Sequence, residues 1–161
     1  LCIVKNRHIL LSCYHLTMKV SLAELPQFAE KFVAELPQTL GSHAYVVGLK
    51  GELGAGKTTF VQAVARALHA GSPVTSPTYT IAQRYTIQRP PFTSLIHMDA
   101  YRVSTGDAHT IGWETFFNDP ANILILEWPE RLPGHMPQDA PILKFSVADV
   151  GSRVIEYAEQ H

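Results

Sequence analysis

The chain has 161 residues, 46% of them hydrophobic and 17% charged, with a formal charge of −1 at pH 7. That length suits one domain whose core stands without disulfides or structural metals, and the composition excludes a disordered or coiled-coil chain. Thirteen basic residues against fourteen acidic ones exclude the basic surplus of a protein that grips nucleic acid by its own phosphate contacts, and no apolar run nears the roughly 18 residues of a membrane span.

The only cysteines, Cys2 and Cys13, lie near the start, so the core carries no disulfide framework, which suits a cytoplasmic protein. Residues 1–17 (LCIVKNRHILLSCYHLT) show no helix or strand period, and the first methionine is Met18. The apolar stretch before Cys13, Ile9 to Leu11, is too short for a signal-peptide core. The segment reads as a non-native extension or a misplaced start, with the domain proper over 18–161.

Ser21-x-x-Glu24 is a capping-box pattern, and Pro26 fits a first helical turn. Phe28, Ala29, Phe32, Val33 and Leu36 then recur at helical spacing, which predicts an amphipathic helix over 25–37. Ala44 to Leu49 is a short apolar run, predicted as a buried strand. A Gly-rich loop occupies 51–58. A second helix follows to about His69, with Phe60, Val61, Val64, Ala65 and Leu68 on one face and Gly71 and Pro73 as stop signals. Residues 75–80 read as a polar turn, and 79–87 and 93–98 as strands separated by Pro90-Pro91. Gly106 to Phe117 is weakly helical. Asn122 to Leu126 shows little alternation, as in a parallel strand covered on both faces. Residues 142–148 and 152–158 alternate as a terminal hairpin around Val150-Gly151-Ser152. Strands alternating with helices make the chain α/β.

Gly51-Glu52-Leu53-Gly54-Ala55-Gly56-Lys57-Thr58 fits the phosphate-loop pattern G-x-x-x-x-G-K-[ST]. Glycines let successive backbone N–H groups turn inward around phosphate oxygens, and the following helix adds the positive end of its dipole. Lys57 can reach the β- and γ-phosphates, and the Thr58 hydroxyl suits Mg²⁺. The apolar strand before the loop and the amphipathic helix after it are the context this motif requires. Thr59 either touches the α-phosphate or serves only the helix.

Such a site needs an acid for Mg²⁺ and one to orient the attacking water. Glu127 and Asp99 each follow an apolar strand, at the strand end where open α/β sheets bind ligands. Glu127 follows the stronger strand and takes the metal role. Asp99 suits water positioning or a second metal contact. Thr75-Ser76-Pro77-Thr78 is either a γ-phosphate sensor or a plain turn. Trp128 precedes Pro129, which predicts extended backbone beside Glu127. Its ring suits a nucleotide base, a partner or the core. No His or Cys spacing matches a metal cluster, and no G-x-S-x-G elbow is present.

Four stretches in this order and spacing resemble the TsaE family: Gly51 to Phe60, Thr75 to Thr80, His97-Met-Asp-Ala-Tyr-Arg102, and Leu126-Glu-Trp-Pro-Glu130. The resemblance runs from about Met18 to about Tyr157. It implies a single-domain P-loop fold with a mostly parallel central sheet flanked by helices. It implies an ATPase needed for the threonylcarbamoyladenosine modification of tRNA. Such a protein acts on a complex of TsaB and TsaD, resets it by hydrolysis, and meets tRNA only through it. It also implies that Lys57 binds phosphate, that Thr58 and Glu127 hold Mg²⁺, that Asp99 is the second functional acid, and that Ser76 and Thr78 belong to a switch-like loop. Trp128 matches the aromatic after the metal acid. Glu52 departs from the family's usual Asp in the variable part of the loop. Pro26 falls near where members often carry a hydroxyl, so no contact carries over there.

Two other classes fit the P-loop. A small-molecule or nucleotide kinase would need an acceptor pocket and often an Arg-rich lid, whereas the arginines after the loop are scattered at 66, 84, 89, 102, 131 and 153. A nucleotide-gated binding module would not need Lys57, Thr58 and Glu127 together. A GTPase lacks its N-K-x-D and D-x-x-G motifs here. Only Arg102 and Arg131 fall inside the motifs, so no arginine finger is evident, and hydrolysis is expected to be slow without a partner.

Overall fold

The computed structural model describes residues 17–73, 81–103 and 111–158. The elements run β1 (Thr17–Ser21), α1 (Leu25–Ala34), β2 (Tyr45–Lys50), α2 (Lys57–Ala67), β3 (Ala82–Arg89), β4 (Phe92–Asp99), α3 (Trp113–Phe117), β5 (Asn122–Glu127), β6 (Ile142–Asp149) and β7 (Ser152–Ala158), with a 3₁₀ turn at Pro129–Arg131. The strands form one sheet in the order β1-β7-β6-β2-β5-β4-β3. Its centre is parallel: β2 pairs with both β5 and β6, and β4 pairs with β5. The rims are antiparallel, through β3 with β4, β6 with β7, and β7 with β1. This is the expected α/β domain with a mostly parallel core. Among the described residues no helix is long and apolar enough to cross a membrane.

β5 explains why the sheet is covered on both sides. All six of its residues are buried. Ile123 and Ile125 face the cluster built with α1 and α2. Leu124 and Leu126 face a second cluster with Trp113, Leu132, Val46 and Met98. Each such side chain contributes about 1.5–3 kcal/mol on burial, so the lack of alternation in the sequence is the mark of a two-faced strand.

The two long helices lock together through aromatic rings. Phe60 of α2 lies 5.5 Å from both Phe28 and Phe32 of α1 and 5.6 Å from Phe145 of β6. These four rings fix the N-terminal turn of α2 against the sheet.

The capping box forms as expected, but one turn earlier than the helix. Glu24 Oε2 accepts from the Ser21 N–H and hydroxyl, at 2.9 and 2.7 Å, while Glu24 N–H donates to Ser21 Oγ at 3.3 Å. Helix α1 begins at Leu25 and stops at Ala34, three residues short of the periodicity, where the last turn closes on the carbonyls of Lys31, Phe32 and Val33. The strand β1 was not evident from the sequence. It exists because Thr17–Ser21 pairs with β7, a long-range partner that local pattern does not encode. The helical stretch expected over 106–117 is confined, within the described residues, to five residues at Trp113–Phe117. Residues 104–110 lie outside them.

Candidate functional site

The C-terminal ends of β2, β5 and β4 lie side by side, and the loop 51–56 leaves β2 there. Gly51 has φ +137° and packs so tightly on β6 that a Cβ would overlap the Phe145 carbonyl. Any side chain at this position is strained and clashes, so the first glycine of the loop is a steric necessity. Gly56, left-handed at φ +102°, starts α2 at Lys57.

Lys57 turns back over the loop. Its ammonium donates to the carbonyls of Gly51 at 2.7 Å and Glu52 at 2.9 Å. It also lies 4.0 Å from the centroid of the Trp128 ring. Burial lowers the Lys57 pKa, and the negative charges of Glu127, Asp99 and Glu130 oppose that shift. The site thus holds a partly desolvated cation facing three acids, which an incoming phosphate chain would complement.

Thr58 and Glu127 meet across 69 residues of chain, the hydroxyl donating to Oε1 at 2.8 Å. Both are oxygen donors of the kind hard divalent cations select. Asp99 and Glu127 are register partners at the ends of β4 and β5, so they share one face of the sheet. Asp99 is buried and accepts the Tyr101 N–H at 2.9 Å. The sequence-derived set of Lys57, Thr58, Asp99, Glu127 and Trp128 is therefore brought together. Thr59 is exposed on the first turn of α2. Ser76 and Thr78, with the rest of 74–80, lie outside the described residues.

The expected extended backbone at Trp128 is corrected. Trp128 is left-handed, at φ 61° and ψ 51°. Its N–H donates to Leu49 O at 3.0 Å and its carbonyl accepts from Arg131 at 2.9 Å. Its ring packs 5.1 Å from Tyr101 as well as over Lys57. The tertiary bond to Leu49 and the 3₁₀ turn that closes on Arg131 outweigh the bias that proline places on the preceding residue.

Two residues at the site escaped the sequence reading. His97 is fully buried, and its Nε2 lies 2.8 Å from the same Glu127 Oε1 that Thr58 contacts. The signal was present: His97 and Asp99 are two apart on one apolar strand, hence on one face. Arg153 of β7 lies against the outside of the loop. A Cβ on Gly56 would sit 3.6 Å from Arg153 Nε, and Arg153 Nη2 reaches Gly54 O at 3.5 Å. Nothing local in the sequence placed it there, because the hairpin reaches the loop through the β6–β2 pairing.

A central α/β sheet covered on both faces, with a glycine-rich loop, a helix-initiating Lys-Thr and strand-end acids, has the architecture of the phosphate-loop class. A family model described as "Threonylcarbamoyl adenosine biosynthesis protein TsaE" matches residues 20–155, and the chain belongs to the TsaE family. Similar curated proteins named "tRNA threonylcarbamoyladenosine biosynthesis protein TsaE" come from Aquifex aeolicus and Nostoc. The Aquifex protein is 37% identical, with the alignment covering 86% of this chain and 94% of that one. The Nostoc protein is 30% identical over 86% and 91%. Among solved structures, that of Bacillus subtilis YdiB superposes with a TM-score of 0.63 at 26% identity, covering 88% of this chain and 83% of that one. The family places the chain in tRNA threonylcarbamoyladenosine biosynthesis.

Proposed function

We propose that this chain is a magnesium-dependent ATPase of the cytoplasm that binds a TsaB–TsaD complex and resets it through ATP hydrolysis, meeting tRNA only through those partners. The observation that carries the reading is the convergence of Lys57, Thr58 and Glu127 at one glycine-rich loop. The names of the curated relatives support the pathway.

The residues present fit a Mg²⁺ ion, since Thr58 and Glu127 bring a hydroxyl and a carboxylate oxygen within 2.8 Å of each other. Bound there, the ion would neutralise charge on the β- and γ-phosphates. The loop N–H groups and the start of α2 bind the phosphate chain. Lys57 exchanges its loop carbonyls for phosphate oxygens and holds the charge that grows on the leaving phosphate. Asp99, beside Glu127, orients the attacking water. Trp128, packed against Tyr101 and over Lys57, borders the site on the side of the 3₁₀ turn. No arginine of the chain is assigned to the transferred phosphoryl group, so the reading expects a slow basal rate. A group supplied by a partner is worth roughly 10³–10⁵ in comparable enzymes.

The test is phosphate release by the chain alone and with TsaB and TsaD, with Lys57→Ala and Glu127→Ala as controls. Stimulation by the partners, abolished by both substitutions, is the expected result. ATP binding without stimulation would turn the reading toward a kinase or a nucleotide-gated module.

A further inference from the structure

His97 is a charged-capable side chain sealed in an apolar strand. It has no exposed surface, and neither of its neighbours on β4, Ile96 and Met98, has any either. Burying an imidazole is costly unless its polar atoms are used. One of them is: Nε2 lies 2.8 Å from Glu127 Oε1. The other, Nδ1, has no partner among the described residues.

The pairing assigns the proton. An ionised carboxylate only accepts, so Nε2 must donate, and an orphaned Nδ1 fits a bare lone pair rather than a buried N–H without an acceptor. Thr58 Oγ1 donates to the same oxygen at 2.8 Å. Glu127 Oε1 is thus held from two sides, by β4 and by the first turn of α2. Among the described residues none bonds Oε2.

The two donors are not equivalent. The Thr58 hydroxyl is itself a metal-ligand candidate and must turn its lone pair outward when a cation arrives, which can loosen its hold on Oε1. The imidazole has no such second task, and it is rigidly packed. We propose that His97 is the positioning residue of the metal acid: its Nε2–H holds Glu127 by Oε1, the oxygen that also meets the Thr58 hydroxyl, and so sets the orientation in which the carboxylate stands beside the loop. The arrangement mirrors the outer-sphere hydrogen bonds that orient ligands in metal sites, where loss of the partner typically costs about 10–100-fold in metal affinity. The inference rests on the magnesium reading above, and it assigns His97 no contact with nucleotide or reacting atoms.

The experiment is a Mg²⁺ titration of the binding of a fluorescent ATP analogue to the full chain. It compares wild type with His97→Gln, which keeps an amide N–H at similar reach, and His97→Leu, which keeps bulk without a donor. Affinity in EDTA is measured for each. The expected result for His97→Leu is a Mg²⁺ half-saturation raised about 10–100-fold with EDTA affinity unchanged, and for His97→Gln a return toward wild type. An unchanged half-saturation in folded His97→Leu overturns the proposal. So does an equal loss of EDTA affinity in both variants, which is what a packing role would produce. Should His97→Leu fail to fold, His97→Asn, whose shorter amide cannot span the gap, replaces it with the same two outcomes. A wild-type protein that binds the analogue without any Mg²⁺ dependence contradicts the metal reading itself, and is recognised before any variant is compared.

Discussion

The ammonium of Lys57 stands 4.0 Å from the centre of the Trp128 ring, while the same ammonium donates to the carbonyls of Gly51 and Glu52. One cation therefore ties the glycine-rich loop to the end of β5. A cation over an indole is worth about 0.5–2 kcal/mol, well below what a phosphate chain offers the same group. Phosphate should win, and the ammonium should leave the ring. The chain has two tryptophans, so Trp113→Phe isolates Trp128. A saturable change in Trp128 emission on adding ATP is expected. Binding seen by calorimetry with no change in emission would count against the exchange.

Lys57 and Glu127 should fail in different ways. Lys57→Ala removes a charge-assisted partner of the phosphates, so ATP affinity should fall about 10–100-fold. Glu127→Gln keeps the volume and the Thr58 contact but removes the charge. Metal-free nucleotide binding should survive while hydrolysis drops about 100-fold or more. Calorimetry and phosphate release separate the two. Equal losses in both assays for both variants would argue against distinct roles.

Gly51→Ala should destabilise the fold by about 2–4 kcal/mol, because the backbone is left-handed and the new Cβ overlaps the Phe145 carbonyl. Gly134 is also left-handed but has open space around it, so Gly134→Ala should cost only about 1 kcal/mol. Urea denaturation of both variants measures the difference. Equal losses would show that strain alone, and not the close approach to β6, sets the demand at Gly51.

Arg153 packs along Gly56, and its Nε is buried without a partner among the described residues. Arg153→Ala should leave thermal stability within about 1 kcal/mol of wild type, yet weaken ATP binding about 3–10-fold by loosening the loop from outside. Arg153→Lys should recover little, since a point charge cannot copy the planar fork. Calorimetry at constant ionic strength is the check, and unchanged affinity in Arg153→Ala would remove the role.

Burial, with smaller help from Glu35 and Asp139, raises the Tyr45 pKa from 10.0 to about 12. Tyr157 shifts in the same direction, chiefly by burial. The unfolded phenol ionises first, so the advantage of the folded state is whole below pH 10 and is lost as pH climbs from 10 through 12. For Tyr45 the loss is on the order of 2 kcal/mol. Tyr45→Phe should flatten the fall in stability between pH 10 and 12, measured by urea denaturation. A fall as steep as that of wild type would assign the alkaline loss elsewhere.

Elements whose cause is local were legible in the sequence. The glycine-rich loop, the apolar face of α2, the unalternating β5 and the β6–β7 hairpin each carry their signal within a dozen residues, and each appears close to its expected bounds. Glu127 and Asp99 could be picked because strand ends in α/β sheets gather ligands, and their register pairing is the geometric reason they meet. What was illegible depends on distant chain. β1 needs β7, Arg153 reaches the loop only because β6 lies beside β2, and the left-handed backbone of Trp128 is held by the distant Leu49 carbonyl. His97 lay between these cases. Its spacing from Asp99 was visible, but its purpose required knowing that Ile125, and hence Glu127, runs beside it.

The proposed site for ATP and a divalent cation depends on Lys57, Thr58 and Glu127 acting together. Calorimetric titration of ATP into the full chain, with Mg²⁺ and then with EDTA, addresses it most directly. One site per chain is expected, with affinity that rises with Mg²⁺ and loss of that rise in Glu127→Gln. No binding, or binding indifferent to both Mg²⁺ and Glu127, would contradict it.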